Sequence, residues 1–203
     1  MDNFFQLPTS LIIGKKEYEI RTDYNVILDL IIALNDEEFK KESAELYSYI
    51  QTKLTLEIMF PNYKEIPAEL HHEAVEKAFK FIDMNISESK SKIKLMDWKK
   101  DFSIIAPAIN NNLGYEVRNK NNYTHWWSFL GAYMEIGDSL FSTIVNIRLK
   151  KAKGKKLEKY EQEFYKENKD LIEFDTKKQR SDNERKIVNE YFFSHKKINK
   201  TTT

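Results

Sequence analysis

The sequence predicts a mainly α protein: a bundle-like domain of five or six helices with a short N-terminal β-hairpin and a charged helical C-terminal tail. Three observations predict it. Glycine (5) and proline (4) are scarce in 203 residues, which leaves few tight turns and room for long helices. Apolar residues recur every three or four positions through most of the first 151 residues. One short stretch near the N-terminus alternates with period two instead. The expected organisation is a single domain over residues 1–151, with its hairpin at 10–21. A basic helical tail over 152–203 follows, with a disordered end.

In the hairpin, Leu11-Ile12-Ile13 leads into Gly14-Lys15 as the turn, and Glu17 and Glu19 then alternate with Tyr18 and Ile20. Thr22 or Asp23 caps a first helix through Tyr24, Ile27, Leu28, Ile31 and Leu34, which ends at Asn35-Asp36. The same pair can cap a second helix carrying Phe39, Leu46, Tyr47, Ile50, Leu54, Ile58 and Met59, which stops before Pro61. Pro67 suits the first turn of a third helix, whose core face is Leu70, Val75, Ala78, Phe79 and Ile82. Residues 85–94 are polar and without period, and read as a loop. Asp97 caps a helix with Trp98, Phe102, Ile105, Ala106, Ile109 and Leu113 on one face. Gly114 stops that helix, and Pro107 inside it should kink or divide it.

Residues 123–151 are the centre of the design. Trp126, Trp127, Leu130, Tyr133, Met134 and Ile136, then Leu140, Phe141, Ile144, Val145 and Ile147, form an apolar stripe too wide for a two-helix seam. Thr124 is the expected cap of its first half, Gly137-Asp138 the break, and Asp138 the cap of its second half. Adjacent tryptophans point about 100° apart on a helix, so burying both requires two neighbouring elements. Beyond Gly154 the apolar residues thin out to Leu157, Tyr160, Phe164 and Leu171.

The totals exclude several classes of function. No cysteine is present, which removes disulfides, thiolate metal sites and cysteine nucleophiles. No apolar run is long enough to span a membrane, and the N-terminus lacks the features of a signal peptide, so action in the cytoplasm is expected. Residues 1–147 hold 16 Lys+Arg against 22 Asp+Glu, a net of −6; residues 148–203 hold 17 against 10, a net of +7, giving +1 together. An acidic body with a basic end suggests an interaction arm or a solvated helical tail.

Few residues suggest chemistry. His71, His72, His125 and His195 lack the spacing that puts two imidazoles and a base on one helix face. His125, beside two tryptophans, reads as an interface or core histidine. Asp97 and Asp101 are four apart and can pair as carboxylates, although capping explains both. Neither a phosphate-cradling glycine loop nor a nucleophile elbow occurs. The basic run at 148–159 can contact phosphates, but it also suits a helix C-terminus, where cations oppose the dipole. The expectation is a protein without catalytic residues, cofactor or metal.

Four features in this order resemble the bacteriophage "gene product fifteen" family of phages of Gram-positive bacteria. They are Leu7-Pro8 leading into LIIGKKEYEIRTDY, the segment DWKKDFSIIAPAINNNLG, HWWSFL from His125, and IVNIRLKK from Ile144. The resemblance covers residues 7–151. It implies a protein of the tail-morphogenesis cluster, acting in the host cytoplasm as a tail assembly chaperone. Such a protein binds the tape-measure protein, helps to recruit the tail-tube protein, and leaves room for self-association. Membrane binding is not expected and nucleic acid is disfavoured. The client-facing surface expected on this basis is Trp126, Trp127, Phe129, Tyr133 and Met134. A second, cationic surface is expected at Arg148, Lys150, Lys151, Lys155 and Lys156. The alternatives are a structural component of the tail, and a nucleic-acid-binding accessory protein that uses the basic C-terminal segment.

Overall fold

The computed structural model describes residues 6–36, 39–84 and 93–174. The protein is mainly helical, with a two-stranded antiparallel hairpin at the N-terminus. Strands β1 (Ser10–Ile13) and β2 (Lys16–Glu19) pair Ile13 with Lys16 and Leu11 with Tyr18. Gly14 takes φ +60°, the left-handed conformation that a two-residue turn needs, and its N–H donates to the Glu73 carboxylate at 3.0 Å. Ile13, Tyr18 and Ile20 are buried while Glu17 and Glu19 are exposed, so the alternation read from sequence does place one face inward.

Helix α1 (Tyr24–Leu34) starts at Asp23, whose carboxylate accepts from the Asn25 N–H, and ends at Asn35. α2 (Ala44–Met59) starts later than its apolar pattern suggests. Phe39 lies in a separate 3-10 turn, and Ser43 caps the helix by accepting from the Leu46 N–H. Pro67 heads a 3-10 turn that runs into α3 (His71–Ile82), whose buried residues are Ala74, Val75, Ala78, Phe81 and Ile82; Phe79, expected inside, is half-buried. Most of the loop expected at 85–94 lies outside the described residues.

α4 (Trp98–Leu113) begins at Asp97, which accepts from the Lys100 N–H, and ends at Gly114 with φ +78°, a left-handed stop. Pro107 does not divide it. The proline sits on the exposed side, and Ser103, whose carbonyl would have accepted the N–H that proline lacks, is exposed too. α5 (Trp126–Met134) and α6 (Leu140–Ala152) follow, separated as the Gly137-Asp138 break predicts. Each cap lies one residue beyond its expected place. The Thr124 hydroxyl is engaged with the Tyr115 hydroxyl at 3.0 Å, so His125 caps α5, and Ser139 rather than Asp138 caps α6 in a reciprocal capping box with Ser142.

In the main core α1 lies against α2, α4 and α5, and α3 joins α2 to the hairpin. Tyr24 stacks on Phe129 at 4.4 Å between centroids and donates its hydroxyl to the Val117 carbonyl at 3.0 Å. An isolated antiparallel bridge between Asp23 and His125 stitches the start of α1 to the start of α5: Trp126 N–H donates to Thr22 O at 2.7 Å, and Tyr24 N–H to Thr124 O at 3.0 Å.

A second apolar cluster forms where α7 (Lys159–Glu167) and the single turn α8 (Lys169–Ile172) fold back. Ile144, Ile147 and Ile172 are buried there, with Ile104, Leu157, Phe164 and Tyr165 packed against them. The first compact unit therefore runs to Ile172 and not to the expected boundary at 151. Residues 152–172 belong to the domain because Ile144 and Ile147 on α6 need that cover. The disordered end expected for the tail lies outside the described residues.

Candidate functional site

α5 carries most of the residues expected to face a partner, and the helix divides them. Trp126 is 2% exposed and Phe129 is fully buried, so both belong to the core and the expectation of a client surface there is corrected. The reason is the wide apolar stripe: α1, α3 and α4 all lie against this short helix. Tyr133 is half-buried, with its ring 4.9 Å from Trp98 and 5.9 Å from Phe141. Trp127 is half-buried, and Met134 is 56% exposed.

The paired tryptophans have a polar task as well. Trp126 Nε1 donates to the Ile82 carbonyl and Trp127 Nε1 to the Phe81 carbonyl, both at 2.8 Å. A helix leaves its last four carbonyls without internal partners, and here two indoles from α5 close the end of α3. His125 sets the register of this contact. Its Nδ1 accepts from the Trp127 N–H at 3.0 Å, so the ring proton is on Nε2, which donates to the Pro8 carbonyl at 3.0 Å. The histidine is thus a buried cap that ties the N-terminal segment to α5.

The cationic residues divide in the same way. Arg148 is buried, which corrects its expected place on a partner surface. Its guanidinium makes a bidentate pair with Asp101, at 2.6 and 2.9 Å, and donates to the Leu95, Leu171 and Ile172 carbonyls. Asp101 also accepts from the Asp97 N–H at 2.9 Å. The two aspartates therefore have separate partners: one caps α4 and the other neutralises an arginine. The apolar period already places Arg148 with Phe141 and Ile144 on the inward face of α6, at i, i+3 and i+7, and that signal marks it as a core residue.

Lys150 Nζ lies 2.7 Å from the Glu161 carboxylate, and Lys151 Nζ lies 3.8 Å from the centroid of the Tyr165 ring. The hydrogen bond from Lys150, with a second from the Glu158 N–H, holds the Glu161 carboxyl below the ordinary carboxylate range. Lys155 and Lys156 are exposed.

Two other carboxylates are set by their surroundings. Burial pushes Asp97 up, but the Lys94 ammonium and the Lys100 N–H outweigh it and hold the group below its usual value. The side chain and backbone N–H of Arg118, helped by Asn110, lower the exposed Glu116 to about 2. His71 lies 3.1 Å from the Ile66 carbonyl, His72 is exposed, and His195 is outside the described residues. Among the described residues, no three His, Asp or Glu side chains are gathered to hold a metal ion, and no helix is long and apolar enough to cross a membrane.

A protein-family model described as "Bacteriophage Gp15 protein" matches residues 5–174, which takes in the hairpin, both apolar clusters and the α7–α8 return. The chain belongs to the bacteriophage Gp15 family. That family suggests a phage structural or morphogenesis protein. The match ends two residues beyond Ile172, where the compact unit also closes, so the family pattern and the packing agree on the extent of the Gp15 domain. No curated protein and no solved structure matches the chain.

Proposed function

We propose that this protein is a tail assembly chaperone that binds the tape-measure protein in the host cytoplasm during tail morphogenesis, without catalysis. The observation that carries this reading is α5: a helix with no charged residue, in a bacteriophage Gp15 protein, whose apolar surface is only partly used by the core. A holding protein for a long helical client needs apolar surface that its own fold leaves uncovered, bordered by charge that keeps it soluble. The accessible candidates are Trp127 and Met134, with Tyr133 at the edge. Lys155 and Lys156 are the remaining candidates for an acidic partner. The nucleic-acid alternative loses its leading residue, because Arg148 is inside the protein.

Co-expression with the tape-measure protein of the same phage, followed by affinity purification of this chain in moderate salt, tests the reading. The expected result is a soluble tape measure that co-elutes with many copies of this chain. An insoluble tape measure with this chain eluting alone would overturn it. Recovery of the chain from purified virions would favour a structural component of the tail.

A further inference from the structure

The side of α5 that the core covers least has its own period. Trp127, Leu130, Gly131 and Met134 stand at i, i+3, i+4 and i+7, one face of a helix, while buried Trp126, Phe129 and Ala132 occupy the other. Trp127, Leu130 and Gly131 are half-buried and Met134 is exposed. An outward helix face ordinarily carries charge, and this one has none.

Gly131 adds a separate observation. A glycine inside a helix costs about 1 kcal/mol relative to alanine. Gly131 is not among the glycines with positive φ, and a Cβ built there meets nothing within 4 Å. Nothing among the described residues uses the missing side chain. A helix arriving from outside would use it, since small residues permit close backbone approach. The anchor beside it is already rigid: Trp127 is held by its bond to the Phe81 carbonyl and lies stacked on the Phe81 ring at 5.7 Å, so it loses little freedom on binding.

Charge indicates the kind of helix. Between His125 and Arg148 there is no lysine or arginine, and the only charged residues are Glu135 and Asp138, both exposed and just beyond Met134. The negative end of the α5 dipole points the same way. One end of the apolar stripe is therefore electronegative.

We propose that the outward face of α5 is a docking site for an amphipathic helix of a partner protein. The partner's apolar stripe closes over Gly131 between Trp127 and Met134, and lysine or arginine beside that stripe meets Glu135 and Asp138. This deepens the chaperone reading and rests on it for the identity of the partner.

The probes are two dye-labelled synthetic amphipathic helical peptides with one apolar stripe, flanked by lysine in the first and by glutamate in the second. Each is titrated with the full chain, and binding is read by fluorescence anisotropy. The lysine-flanked peptide is expected to bind about tenfold more tightly or better, a gap of about 1.4 kcal/mol. Gly131→Leu, whose Cβ enters open space, is expected to melt no lower than the parent and to weaken that binding about tenfold or more. Met134→Lys, at a position already mostly in water, should weaken it as well. Glu135→Gln with Asp138→Asn should remove most of the preference between peptides.

Equal binding of both peptides, or undiminished binding by Gly131→Leu, overturns the proposal. So does a dimer of the chain, seen by sedimentation, that Gly131→Leu dissolves, because a second copy would then be the occupant. A soluble tape measure with neither peptide bound rejects this surface and leaves the chaperone reading standing. Peptide binding beside an insoluble tape measure does the reverse.

Discussion

Arg148, Arg21 and the two indoles of α5 do one job at three helix ends. Phe60 N–H serves the Leu56 carbonyl, the Arg21 guanidinium serves Glu57 and Ile58, and Arg21 N–H serves Met59, so the last four carbonyls of α2 all have partners. Trp126 and Trp127 close α3, and Arg148 closes α8 while it neutralises Asp101. Breaking the buried pair strands a charge. Arg148→Met is expected to cost about 3–5 kcal/mol in urea denaturation, and adding Asp101→Leu should recover a large part of it. Glu116 offers an electrostatic test at the surface. Its folded value of about 2 lies below the ordinary 4.5, so its contribution is present above the unfolded value and is lost as pH falls through about 2. An NMR titration should find its midpoint there, and Arg118→Ala should move it up toward the ordinary value.

Helix starts and stops show what the sequence makes legible. Ser139→Ala removes the half of the α6 capping box in which the Ser139 hydroxyl accepts from the Ser142 N–H, and should cost about 1 kcal/mol, measured by thermal or chemical denaturation. α1 and α4 could be bounded in advance because Asp23, Asp97 and Gly114 act on their own neighbours, within three or four residues. The cap of α5 is one residue off because that choice depends on distant groups: Tyr115 occupies the Thr124 hydroxyl, and Tyr24 uses the Thr124 carbonyl. That of α6 is one residue off because Ser139 finds a reciprocal partner in Ser142. The start of α2 was obscured because Phe39 keeps the apolar period across a 3-10 turn. The split of the candidate surface was harder still. Helical spacing places Trp126 and Trp127 on different sides, but only the position of α3 decides which side is inside. Arg148 read as part of a basic run, since its partners at 95, 101, 171 and 172 lie far away in sequence.

For the whole molecule, the extent of the domain has a direct test. A chain ending at 151 loses α7 and α8, uncovers Ile144 and Ile147, and leaves Arg148 without the Leu171 and Ile172 carbonyls. A chain ending at 174 keeps all of these. The shorter chain should melt well below the full protein, at about 2–4 °C per kcal/mol lost, and the longer one should melt with it.

The bridge between Asp23 and His125 also bears on the order of synthesis. Thr22 and Tyr24 complete these hydrogen bonds only with Trp126 and Thr124, about a hundred residues further along the chain. Until then α1 has α2 beside it and the hairpin has α3, but Tyr24 lacks both the Phe129 ring and the Val117 carbonyl. Closing of the core onto α5 is therefore a late event in folding. The face of α1 that awaits Phe129 is the part of the early chain that stays open longest to proteolysis during synthesis.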